Sequence, residues 1–137
     1  MSRQDKIVWC DSWRLPHKYG FCPSEKAWRT YMRSYKMQED DYPTHRGCTS
    51  LFQQKVTKHR VALVTINASV TEPRAIMSLL VHEGAHVWQD LREALGEKEP
   101  SSEFEAYAMQ IIASELIAAY ETTRGGLLHK RVTRPLP

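Results

Sequence analysis

A chain of 137 residues with 42% hydrophobic and 26% charged side chains has the size and composition of one globular domain, here taken as residues 1–137. Lys and Arg number 19 against 16 Asp and Glu, a formal charge of +3, and the basic residues are dispersed, so nucleic acid has no compositional claim as a partner. No apolar run nears the roughly 18 residues that cross a bilayer and no apolar leader opens the chain, which excludes a membrane span and makes the cytoplasm the expected compartment. Cys10, Cys22 and Cys48 are an odd number in a chain that needs no staples, so reduced thiols are expected.

Residues 1–23 mix Trp9, Trp13, Tyr19 and Phe21 with Pro16, Gly20 and Pro23. They are too aromatic for a disordered tail and too broken for a helix, and an irregular segment packed on the core is expected. Ser24 can cap a first helix over 24–37, whose apolar stripe runs through Ala27, Trp28, Tyr31, Met32 and Tyr35. Between 55 and 67 β-branched residues are dense, and Val61 to Ile66 reads as a strand or the longer arm of a hairpin. Thr71, Glu72 and Pro73 suit the first turn of a second helix, which Gly96 closes. Ser102 with Glu105 three residues on reads as a capping box for a third helix reaching Gly125 and Gly126. The residues from 127 to 137 read as a loose basic tail. The expected class is α+β, with three main helices and a small sheet or hairpin ahead of the second.

That second helix carries His82-Glu83-Gly84-Ala85-His86, an HExxH sequence. Residues four apart share a helical face, so both imidazoles can reach one metal ion. Glu83 is turned about 100° from His82, beside such an ion rather than on it, where it can take a proton from water. Chance matches to the pattern number roughly 0.02 for a chain of this composition. Zinc held by two histidines needs a third protein donor and keeps an open position for water. A further histidine six residues beyond His86, as in the metzincins, is missing, since Arg92 stands there, and the downstream carboxylates are Glu103, Glu105 and Glu115. A tight antiparallel helix pair would bring Glu115 level with His82. Asp90, one turn past His86, can accept from that histidine's other ring nitrogen or stand solvated at the helix end.

HEGAH followed by Glu103-Phe-Glu-Ala-Tyr-Ala108 resembles the gluzincin metallopeptidases, whose third zinc ligand is a glutamate on the following helix. The resemblance implies a zincin-like fold, with His82, His86 and Glu103 as zinc ligands, Glu83 as general base and a protein or peptide as substrate. Tyr107 stands where those families carry an aspartate, and Glu105 is left as the capping acid. The wording around both motifs is also similar to small metallopeptidase-like proteins of phages and prophages, which would place the chain in a host cytoplasm. Tyr107 falls one turn after Glu103, where its hydroxyl can orient the ligand or stabilise an oxyanion, or can pack in the core.

Three other readings follow from the residues. Gly47-Cys48-Thr49-Ser50 resembles the G-C-x-S sequence of peptide deformylases, which would make Cys48 the third ligand. A metal holding the second and third helices together, without catalysis, would make a binding or regulatory module. The aromatics Trp9, Trp13, Tyr19 and Trp28 can wall a cleft or fill the core.

Overall fold

The β-branched run from Arg60 to Ile66 forms an inner strand of a four-stranded sheet, buried on both faces as its near-continuous apolar sequence requires. The computed structural model describes residues 2–10, 17–35, 40–55 and 57–128. Its strands are β1 (Val8–Cys10), β2 (His17–Phe21), β3 (Gly47–Gln53) and β4 (Arg60–Ile66), and its helices α1 (Glu25–Ser34), α2 (Pro73–Ala94) and α3 (Ser102–Thr123). The sheet order is β1-β2-β4-β3, with β2 and β4 parallel and both outer strands antiparallel to their neighbours. The α+β class and the three helices agree with expectation.

The amino-terminal segment differs from it. In place of irregular chain, residues 3–5 form a 3-10 turn and two strands follow, with Tyr19 and Phe21 sunk in the core. Gly20 is required there: a Cβ would lie 2.7 Å from the Val8 carbonyl oxygen on β1. The tail from 129 to 137 and Trp13 lie outside the described residues.

Helix α1 starts where expected, with the Ser24 side chain accepting from the Ala27 amide at 3.1 Å, and is capped at Tyr35. It covers one face of the sheet, where Trp28 and Met32 meet Val61 and Leu63. The opposite face, presenting Tyr19, Phe21, Ala62, Val64 and Ile66, takes α2 and α3. Glu72 rather than Thr71 caps α2, Pro73 occupies its first turn, and Gly96 with φ of 70° follows its end. The cap of α3 is Ser101, one residue earlier than expected, so the anticipated Ser102–Glu105 box does not form.

The α2–α3 pair decides where everything else can go. Gly84, on the helix face opposite the histidines, has Ile112 and Leu116 within 3.5 Å of where its Cβ would be, while Trp88 donates to Glu105. The two helices therefore run antiparallel.

Candidate functional site

Helix periodicity places the Gly84 face about 200° round α2 from His82, so α3 packs on the side away from the imidazoles. What stands beside the histidines is β3. Its residues alternate, and pairing with β4 sets Gly47, Thr49 and Leu51 opposite Ile66, Val64 and Ala62, on the sheet face that α2 covers. Between the two elements opens a cleft of about 560 Å³, lined by His82, Glu83, His86, Gln89, Asp90 and Glu93 from α2 and by His45, Gly47, Cys48, Thr49 and Leu51 from the other wall.

His82 and His86 are exposed to this cleft, with ring centroids 5.0 Å apart and planes at 77°. Gln89 Oε1 lies 3.0 Å from His86 Nδ1. With that amide oxygen accepting, Nδ1 carries the proton and Nε2 keeps its lone pair free. Glu83 is only 4% exposed, and its carboxylate Oε2 accepts from the Thr49 hydroxyl at 2.6 Å. Gly47 lets the strand come this close, since a Cβ there would sit 3.2 Å from Glu83 Oε1.

Asp90 does not serve His86. It turns into the protein, where its two oxygens take His17 Nε2 at 2.8 Å and Arg60 Nη2 at 2.5 Å, tying α2 to β2 and β4. Burial holds the His17 imidazole below its ordinary pKa, against the opposing pull of Asp90.

The structure brings together His82, Glu83 and His86 and does not bring Glu103 or Tyr107 to them. Glu103 is exposed on the first turn of α3, and Tyr107 is 61% exposed on the same helix; neither lines the cleft. Glu105 accepts from Trp88 Nε1 at 2.8 Å and lies 3.6 Å from Arg92. Glu115 accepts from the Tyr19 hydroxyl. The physical reason is the packing face: Gly84 offers the shallow groove that α3 fills, and that groove is behind the histidines.

Cys48 contributes to the cleft wall, but pairing opposite Thr65 puts its side chain on the alternate face with Ser50, whose Oγ lies 3.8 Å from its Sγ. Of the aromatics, Tyr19 and Trp28 are buried on opposite faces of the sheet, and Trp9 lies tilted against Tyr31, with ring centroids 5.5 Å apart. These three fill the core and its margin and do not line the cleft.

Among the described residues, no group of three or more His, Cys, Asp or Glu side chains stands close enough together to hold a metal ion. The chemistry of the two imidazoles nonetheless suits one: they are a turn apart, exposed to one cleft, and His86 is oriented by a neighbouring amide. Thr49, Gln89 and His45 belong to no motif, and only the folded register assembles them. Among the described residues no helix is long and apolar enough to cross a membrane. Compared with known protein families, curated proteins and solved structures, the chain has no match.

Proposed function

We propose that the chain is a zinc-dependent hydrolase of peptide bonds, with the cleft between α2 and β3 as its active site. The observation that carries this reading is the convergence on one cleft of two exposed imidazoles and a buried carboxylate held by Thr49. His82 and His86 would hold the ion. Zinc, when bound, supplies Lewis acidity, polarising the carbonyl under attack and making water a better acid near neutral pH.

The protein's own groups do the rest. Glu83 takes the proton of the attacking water and delivers it to the departing amine. Thr49 fixes one of its oxygens, and the bare backbone at Gly47 leaves space beside the other. Gln89 keeps the His86 ring in one tautomer and orientation. The outer side of β3 is an edge, so an extended peptide can add to it by main-chain hydrogen bonds, with the 55% exposed Leu51 offering an apolar contact.

The test is metal analysis followed by cleavage of a peptide library by apo, zinc-loaded and chelator-treated protein. Cleavage that follows zinc supports the reading. Zinc binding without cleavage of any peptide overturns it in favour of the non-catalytic module, and cleavage that survives complete removal of metal overturns the zinc dependence.

A further inference from the structure

Folding sorts the charges that the sequence leaves dispersed. Residues 1–66, which supply the four strands and α1, hold 12 Lys and Arg against 6 Asp and Glu, whereas residues 67–128, which supply α2 and α3, hold 4 against 10. Because α1 lies on one face of the sheet and α2 with α3 on the other, the two signs point in opposite directions. They can meet only between molecules. We propose that a second copy of this chain docks head to tail, with the outer side of α1 in one molecule against the outer side of α3 in the next.

On α1, Lys26, Arg29 and Arg33 are exposed at spacings of three and four, on the side turned from the core. The helix contains one acid, Glu25, which Arg29 Nη2 holds at 2.7 Å. On α3, Glu103, Tyr107 and Ile111 follow one another at intervals of four, and Tyr107 is 61% and Ile111 39% exposed. From Ala106 to Ser114 that helix has no charged residue, although Ala106, Tyr107, Gln110, Ile111 and Ser114 all face solvent. A helix that is apolar on its outer side as well as its inner one calls for a cover. The aliphatic stems of Lys26 and Arg33 can supply it, with a guanidinium over the Tyr107 ring and Glu103 meeting the second cation. A two-fold contact would set α1 on α1 or α3 on α3, like charge on like, so the arrangement is heterologous and can continue from copy to copy. With ten residues, α1 is about 15 Å long, which limits the contact to the weak class that salt screens. None of these side chains lines the histidine cleft, so the contact is independent of the metal reading.

Sedimentation equilibrium of the 137-residue chain at concentrations up to about 1 mM, in about 50 mM and about 500 mM NaCl, tests the contact. The wild type is compared with an α1 variant, Lys26→Glu with Arg33→Glu, and an α3 variant, Glu103→Lys with Tyr107→Lys. Circular dichroism and thermal unfolding verify each fold, and Arg33→Glu or Tyr107→Lys alone replaces a pair that unfolds. The wild-type mass should climb above 15.9 kDa with concentration in low salt and fall back in high salt. Each variant alone should associate at least about tenfold more weakly, and mixing the two should restore association, because α3 of the first still fits α1 of the second. A wild type that stays monomeric in low salt, a variant that associates undiminished, or a mixture that stays monomeric overturns the proposal. So does a wild-type mass that stops at two copies, which would mean a two-fold contact. A monomer that instead binds a labelled oligothymidylate in low salt overturns it as well and gives the α1 face an acidic polymer as partner.

Discussion

Asp90→Asn isolates the contact that sets the position of α2 on the sheet. The Asp90 side chain is 4% exposed and that of His17 is 1% exposed, so the bond between them has no solvent to replace it. An amide keeps the shape but not the charge, and it cannot accept from His17 and Arg60 with both of its heavy atoms, because one of them is now a donor. The charged partner that the amide loses is Arg60, and breaking a buried charged pair costs about 3–5 kcal/mol. Arg60 is 34% exposed and has Glu93 at 3.5 Å as a second partner, which favours the lower end, about 3 kcal/mol. For a chain of this size that loss lowers Tm by about 10 °C. Urea and thermal unfolding followed by circular dichroism measure it. A loss under about 1 kcal/mol would refute the idea that this buried network anchors the helix.

His17 gives the same network a pH signature. Its folded pKa is depressed by burial, so the unfolded chain binds more protons below the ordinary value of 6.5, and stability falls as pH drops through that value. Unfolding free energies at pH 7.5 and 5.5 should differ by less in His17→Gln than in the wild type; an unchanged difference contradicts the assignment. Gly84→Ala places its Cβ at ordinary contact distances of 3.4 Å or more from α3, so the better helix former should raise stability by about 0.5–1 kcal/mol in urea titrations. A loss of stability would mean the helices are packed closer than described. Gly20→Ala, with its Cβ 2.7 Å from a main-chain oxygen, should instead destabilise by more than about 1 kcal/mol, and a neutral result would contradict the β1–β2 pairing.

The legible parts of the sequence were those governed by local periodicity. His82, Glu83 and His86 announce their relative directions because a helix fixes them, and Ser24 and Pro73 mark helix starts by satisfying or lacking particular amides. The amino-terminal strands were hidden because β1 has three residues and β2 carries a glycine whose purpose, close approach to another backbone, exists only after folding. Strand β3 is half exposed and reads as polar chain, yet it supplies Thr49 and the cleft wall. The position of α3 depended on which side of α2 is smooth. Gly84 decides that, and its smallness gives no local sign of direction, so Glu103 was expected beside the histidines when its helix packs on the far side.

Glu83→Gln compared with the wild type, both loaded with zinc and assayed on the same peptides, tests the central claim most directly. Full zinc occupancy with cleavage reduced by at least about 100-fold is the predicted outcome. Equal cleavage in the two proteins would show that the carboxylate held by Thr49 moves no proton, and the assignment of this cleft as a hydrolytic site would be wrong.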